Sequence, residues 1–401
     1  MGKKRIQQMN RPTTSAGSRI YSRENVDRYS ERARQRRRGR HVRRIVICTL
    51  IGVLLAGTAA AGLYLNHLSA KLRGSSITSD LMNSLKIMDS DVTKEPFYML
   101  LLGTDGRPGE DTFRSDTIVV ARIDPTHKQV TLLSIPRDTK IELNGETMKI
   151  NAAHAYGGAD DVVKAVNELL WPGQEGKISQ YAEVSFEGLV QVVDAIGGVE
   201  VNVPDKVDDP KAGDMVIEPG LQTLDGASAL AFCRSRAYSD GDYTRMRHQR
   251  IFIAALAKQV LNNTNATTIV PLIESLSDMV QTSMSLTDIA ALANAMRGMD
   301  TDKIWSANLP SWAGDDTYNN GVSYVFCNEE ATAEMMDRID KGLDPQGSQT
   351  MSTGGLSESS TIGDLTNNTA SDYVNGTATA SGGSDESSSD SSSGSASSSS
   401  N

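Results

Sequence analysis

Three short apolar runs, at 98–102, 117–123 and 129–135, are bounded by Gly, Pro and Asp, which predicts strands. The first is apolar enough to be buried on both faces. Further along, the apolar spacing lengthens. It predicts helices at 160–170, 186–195, 244–261, 267–280, 286–298 and 328–341, with a short helix around 224–231 after Pro219-Gly220. Short strands are expected at 199–203, following Gly197-Gly198, and at 303–309. In the helix at 244–261, Ile251, Phe252, Ala255, Leu256 and Val260 form a broad apolar face. Strands mixed with helices predict an α/β fold over residues 95–343, a mixed central β-sheet flanked by helices on both faces.

The segments outside that domain differ from it in pattern. Residues 45–65, IVICTLIGVLLAGTAAAGLYL, carry no charge and follow Arg43 and Arg44. About 20 such residues cross a bilayer as a helix, and the basic flank sets the cytoplasmic side. A cleavable signal peptide is the rival reading, because Ala59 to Ala61 resembles a cleavage site; the long basic arm and the long apolar run favour an anchor. The expected location is the cell membrane, with one transmembrane helix, a cytoplasmic N-terminus and an extracytoplasmic domain. Residues 1–44 lack apolar periodicity and read as a disordered arm, and 66–94 as a polar, partly helical stalk. From 344 to 401 the chain is Ser-rich, with no Lys or Arg, and cannot bury enough apolar area to offset its ordering entropy.

Charge sharpens the division. The first 44 residues hold 15 Lys and Arg against 3 Asp and Glu, in a chain of 401 residues whose net charge is −10. Such an arm suits anionic lipid headgroups. No folded reader accompanies it, so no nucleic-acid partner is expected. Cys48 lies in the expected span, whereas Cys233 and Cys327 are expected outside, either bridged or as two buried thiols.

Against this acidic background, residues 234–250 pack five arginines and two aspartates. Arg234 and Arg236, two apart in an expected extended segment, point the same way. Arg245 and Gln249, four apart, share a face at the start of a helix. Two guanidinium forks facing a helix N-terminus make a cradle for an anion, read here as a pyrophosphate. Arg247 and Arg250 lie on a rotated face and are expected to face solvent or to support the cradle. Asp242 is either a helix cap or a general base for an attacking hydroxyl. Tyr238 and Tyr243 either line the site or pack.

Asp105 ends the first strand and Asp116 opens the second. They are ordinary turn formers, or the two carboxylates of a Mg²⁺ or Mn²⁺ ion that takes its other oxygens from phosphates. Arg137, next to Asp138, is a local ion pair or a further phosphate ligand. Arg107 and Arg114, between the two aspartates, are surface charge or substrate contacts. No nucleophile elbow, HExxH or P-loop is present. Arginines with a metal and no covalent nucleophile suit phosphoryl transfer.

Seven separated motifs resemble the LytR-CpsA-Psr family of cell-wall enzymes: LLLGTD ending at Asp105, RSDT containing Asp116, SIPRD containing Arg137, KINAAHAYGG, DAIGGVEVNVP, PGLQTLDGASALAFCRSR, and GDYTR with the HQ that follows. They span residues 97–262 in order. The resemblance implies a tunnel for a polyprenyl chain, with the pyrophosphate held at its mouth. It implies transfer of a phosphorylated glycopolymer from an undecaprenyl-pyrophosphate carrier to a peptidoglycan hydroxyl. Carried over by position, Asp105 and Asp116 look like the metal carboxylates, and Arg137, Arg234, Arg236, Arg245 and Gln249 like the phosphate ligands. His248 stands where the pattern often has arginine, so that contact is expected to be weaker or pH-dependent, or to pass to Arg247. Two alternatives stand beside the transferase: a pyrophosphatase that gives the diphosphate to water, and a non-enzymatic envelope scaffold or regulator.

Overall fold

The computed structural model describes residues 62–64, 66–72, 77–86, 91–106, 113–263, 280–316, 321–346 and 359–362. The expected arm, nearly all of the expected span, most of the Ser-rich tail, Arg107 and all but the end of the helix expected at 267–280 lie outside them. Among the described residues no helix is long and apolar enough to cross a membrane. Contacts divide the chain into residues 1–66 and 67–401, and all the elements below belong to the second unit.

Strands β1 (Phe97–Thr104), β2 (Ser115–Asp124) and β3 (Gln129–Ser134) form an antiparallel meander. Two hairpin-like ribbons lie outside the main sheet. One pairs β4 (Lys140–Leu143) with β5 (Glu146–Lys149); the other pairs β7 (Val199–Val203) with β10 (Gly220–Leu224). Between them in the chain, β6 (Ile178–Ser185) adds parallel to β1. A two-residue pair, β8 (Val207–Asp208) with β9 (Val216–Ile217), fills the β7–β10 connection. β11 (Val280–Thr282) borders β6, and β12 (Trp305–Asn308) adds parallel to β3. A last ribbon, β13 (Ser311–Asp316) with β14 (Val322–Cys327), precedes the edge strand β15 (Ser359–Thr361). The main sheet is therefore mixed and seven-stranded, in the order β11-β6-β1-β2-β3-β12-β15.

Alternation along the central strands sends side chains to two cores. Leu100, Leu102, Ile118, Val120 and Leu133 meet the helices α1 (Ser79–Ser84), α2 (Ile150–Leu170) and a late helix at Glu329–Asp340. Val119, Ala121 and Leu132 meet α3 (Phe186–Ala195), α4 (Gly226–Arg234) and α5 (Asp242–Asn263). A sixth helix, α6 (Leu286–Ala295), flanks the β11 edge, and the late helix is α7. Each fully buried Leu or Ile contributes about 1.5–3 kcal/mol, so both faces need their helices. The expected layered fold is present.

Several local expectations change. Helix α2 begins at Ile150, ten residues early, because Gly158 takes a left-handed conformation (φ 69°) that joins two helical pieces across a kink. The expected stalk is part of the domain, since Leu81 and Leu85 of its helix are buried in the first core. Ser359–Thr361 pairs with β12 and Ile362 is buried, so folded chain continues beyond residue 343. Cys233 and Cys327 are free thiols packed into opposite cores, too far apart in the fold to bridge. Burial raises both thiol pKa values, which keeps them protonated.

Candidate active site

The site forms at the ends of β1 and β2. Gly103 and Thr104 pair with Thr117 and Ser115, which leaves Asp116 as an extra residue in the ladder. A bulge re-aims its residue. Asp116 is thereby turned toward the segment after β3, where Arg137 Nη1 donates to Asp116 Oδ1 at 2.5 Å. Burial alone would lower the Arg137 pKa, but the bond and charge of Asp116 outweigh it and raise it. Asp105, exposed at the end of β1, accepts from the backbone N–H of Arg114 at 3.0 Å, while the Arg114 side chain points to solvent.

Helix α5 supplies the next layer. Gly241, at φ 53°, makes the turn that starts it, a conformation that costs other residues. Asp240 accepts from Thr244 Oγ1 at 2.5 Å. Asp242 then stands between two arginines: Arg245 Nη2 donates to its Oδ2 at 2.9 Å, and Arg236 Nε lies 3.3 Å from its Oδ1. Arg245 Nη2 also reaches the Asp116 carbonyl at 3.3 Å, which ties the two layers together. Arg245 is only 3% exposed. Burial pushes its pKa down to about 10; Asp242 opposes this, while the neighbouring charges of Arg236 and Arg137 add to it. Asp138 lies 3.8 Å from Arg137 Nε and 3.0 Å from Lys149 Nζ, so three guanidiniums and one ammonium share three carboxylates and the cluster keeps a net positive charge.

The remaining site residues are placed differently from the extended cradle. Arg234 is the last residue of α4, and its guanidinium lies 5.0 Å above the Phe186 ring. Phe186 follows Ser185, the partner of Thr104 at the end of β1, so Arg234 sits at the same end of the sheet as Asp105. Arg236 follows the helix; its backbone N–H donates to Asp209 Oδ2 at 2.9 Å. That bond holds the Asp209 carboxyl below its ordinary range, although burial opposes it. Gln249 Nε2 donates to the Cys233 carbonyl at 3.1 Å and so anchors the turn that carries both arginines.

Arg247 and Arg250 are not solvent-facing: each is about 1% exposed. Arg250 donates to Ser306 Oγ at 2.5 Å and to Asn308 Oδ1 at 2.6 Å, binding α5 to β12. Arg247 stands between Asp240 at 3.5 Å and Asp205 at 4.0 Å. His248 is fully buried, stacked on Phe232 at 4.2 Å with Tyr238 edge-on at 5.2 Å. Burial lowers its pKa despite Asp205 nearby, which favours the neutral ring. Tyr238 packs there, whereas Tyr243 is half-buried at the start of α5.

Two features are invisible in the spacing of residues, and the second was implied only by the family resemblance. Beneath the site, Glu183 of β6 accepts from Thr104 Oγ1 at 3.2 Å and from the Tyr181 hydroxyl, and faces His154 Nε2 at 3.3 Å. His154 Nδ1 lies 3.2 Å from the Phe113 carbonyl. This network braces Phe113, just ahead of β2, and its one visible signal was the histidine of KINAAHAYGG. The second feature is a cavity of about 360 Å³ between the sheet and helices α5 and α6, lined almost wholly by apolar groups such as Leu101, Ala121, Ala182, Ala257, Leu261 and Leu292. Both the cavity and Arg245 lie on the α5 side of the sheet.

The LytR_cpsA_psr family model matches residues 64–341. The chain is 32% identical over 270 residues to the polyisoprenyl-teichoic acid–peptidoglycan teichoic acid transferase TagV of Bacillus subtilis, covering 63% of this chain and 65% of TagV. It is 33% identical over 257 residues to the transferase TagU of Enterococcus faecalis, which carries the same functional description, covering 62% of this chain and 80% of TagU. The chain therefore spans just under two thirds of the length of TagV. The crystal structure of B. subtilis TagV superposes with a TM-score of 0.55 at 29% identity, over 63% of this chain and 98% of that one. A structure of TagT bound to LIIa-WTA superposes with a TM-score of 0.54 at 27% identity, over 64% of this chain and 94% of that one.

Proposed function

The chain belongs to the LytR-CpsA-Psr family, and from that premise we propose that it transfers a phosphorylated glycopolymer from a polyisoprenyl-pyrophosphate carrier to peptidoglycan. The observation that carries this reading is the alignment of two unlike sites. From Asp105 back to Leu101 on β1 is about 13 Å of strand, and from Arg245 on to Ile253 of α5 is about 12 Å of helix. Along both elements the cationic cluster gives way to the apolar cavity after about the same distance. A ligand that spans both is charged at one end and oily at the other, as a prenyl diphosphate is. TagV and TagU are described as acting on polyisoprenyl-linked teichoic acid and peptidoglycan.

In the proposed reaction Arg137, Arg236 and Arg245 take the diphosphate oxygens, with Arg234 at the rim. Positioning and charge neutralisation of this kind account for most of phosphoryl-transfer catalysis. The acceptor hydroxyl oxygen forms a bond to phosphorus as the bond to the prenyl-phosphate oxygen breaks, and prenyl phosphate leaves with the electron pair. The hydroxyl proton needs an acceptor. Asp242 is free for that role once the phosphates have drawn Arg236 and Arg245 away from its oxygens, so substrate binding precedes proton transfer.

Asp105 and Asp116 fit a Mg²⁺ or Mn²⁺ ion in chemistry: both are hard oxygen donors, and the bulge puts them at one end of adjacent strands. Among the described residues no group of three or more protein ligands could hold a metal. An ion there depends on phosphate oxygens, which suits Mg²⁺, and it would supply further neutralisation of the diphosphate charge. The membrane anchor at 45–65 and the extracytoplasmic placement of the domain belong to the same proposal, supported by the uncharged run behind Arg43 and Arg44.

Mass spectrometry of lipid extracted from the purified full chain tests the reading. Polyprenyl phosphate or pyrophosphate is expected in the wild type and depleted in Arg236→Ala. Transfer of labelled polymer to peptidoglycan by an Arg236→Ala, Arg137→Ala double variant at wild-type rate would refute it.

A further inference from the structure

On the opposite face of the sheet from the prenyl cavity lies an open groove of about 460 Å³, within the range of about 300–1,000 Å³ typical of ligand sites. Its floor is aromatic. Trp312 of β13 pairs directly with Phe326 of β14, and their rings stack at 5.8 Å and 20°. One face of Trp312 is thus covered while the residue stays 46% exposed, an unusual position for a residue this large. Lys140, also in the groove lining, is pinned by Asp316 at 2.7 Å and lies 5.8 Å from the Phe326 ring centroid. The rim carries Glu142, Glu168 and Glu329, all exposed.

This chemistry selects a ligand class. A flat ring beside exposed carboxylates suits a pyranose, whose C–H face stacks on the ring while its hydroxyls donate to the carboxylates. Three glutamates against one already neutralised lysine repel a phosphate polymer. The arginine cluster does the reverse, so the two sites divide an anionic donor from an uncharged acceptor. The groove is also joined to the site. Thr139 bridges Val325, and the Val325 N–H donates to the carbonyl of Asp138, next to Arg137. Lys140 is three residues from Arg137, at most about 11 Å of extended chain.

We propose that this groove binds the neutral sugar strand of the acceptor, a β-1,4-linked N-acetylhexosamine chain, with Trp312 as the stacking residue. The acceptor role rests on the transferase reading; the saccharide site does not. Isothermal titration of the full chain in detergent with chitotetraose, the tetramer of N-acetylglucosamine, reads the site without any transfer step. Binding is expected to weaken at least tenfold in Trp312→Ala and to recover largely in Trp312→Tyr. Glu168→Gln, on α2, is expected to weaken it severalfold and reads the groove even if the hairpin variant misfolds. A glycerol phosphate oligomer, the anionic probe, is expected to bind with no dependence on Trp312. In transfer assays Trp312→Ala should raise KM for glycan strands more than KM for the lipid-linked donor. Absence of chitotetraose binding, binding equal in wild type and both variants, or Trp312-dependent binding of the anionic probe overturns the proposal. Trp312-dependent saccharide binding by a chain that transfers no polymer supports the site and refutes only the transferase reading.

Discussion

Arg245 shows at the scale of one residue how this site trades stability for a ligand. Its guanidinium is 3% exposed, and burial together with Arg236 and Arg137 brings its pKa down to about 10, against the partial compensation of Asp242. The folded chain therefore holds this proton less firmly than the unfolded chain does. The cost of keeping it charged is full below pH 10 and fades as pH rises from 10 toward the usual arginine value. At neutral pH that cost is on the order of 3 kcal/mol. Arg245→Met, which keeps the stem and removes the charge, is expected to leave Tm at or above the wild-type value while transfer falls by at least a hundredfold. A loss of several degrees in a calorimetric scan would show instead that the ion pair with Asp242 dominates. Asp116 makes a second single-residue test. If its free oxygen helps to hold Mg²⁺, Asp116→Asn should raise the Mg²⁺ concentration needed for half-maximal transfer several-fold; an unchanged Mg²⁺ titration would confine Asp116 to orienting Arg137.

At the scale of elements, the ends of β1 and β6 are held by side chains rather than by the ladder alone. Glu183 is 5% exposed. Burial would raise its carboxyl pKa, but His154, Tyr181 and Thr104 outweigh that and lower it. A lowered carboxyl adds stability above the unfolded value of about 4.3, and that stability is lost as pH falls through the folded value. Glu183→Gln should flatten the fall in Tm below about pH 4.5, and should also loosen residues 113–116, seen as faster amide hydrogen exchange at Ser115 and Asp116. An unaltered acid slope would remove Glu183 from the account. None of this was visible in the strand pattern, because period-2 alternation reports which face a residue takes and not what it meets there. The same blindness left Arg247 and Arg250 open between solvent and a supporting place. Helical spacing correctly set them apart from Arg245, yet their turn faces Asp205, Asp240 and β12 rather than solvent. The elements with long apolar repeats, α3 and α5 among them, were legible to within two residues. The ribbons β4–β5 and β13–β14 were not, since short strands that mix apolar and charged residues and pair outside the main sheet leave little trace in hydropathy.

For the whole molecule, the two cores differ in a way no linear pattern records. Leu100 and Leu102 pack against α2, while Met99 and Leu101, on the other side of the same strand, line a space that the described residues leave open. A run apolar on both faces is required by a solid core and by a lined cavity alike, so strand β1 was predictable and its cavity was not. An apolar hollow is a cost that evolution removes unless something occupies it, because each unfilled volume forfeits dispersion contacts. The occupant proposed here is the prenyl chain, and filling the space with protein should separate its two roles. Ala257→Phe, on the cavity wall in α5, is expected to keep or raise Tm, since the ring enters existing space. It should cut transfer from a long-chain polyprenyl donor by at least tenfold while sparing a donor with a two-isoprene chain, because the arginine cluster about 18 Å away along the helix is untouched. Equal loss with both donors would mean that the variant disturbs the cationic site itself. Unchanged transfer with both would mean that the prenyl chain lies elsewhere.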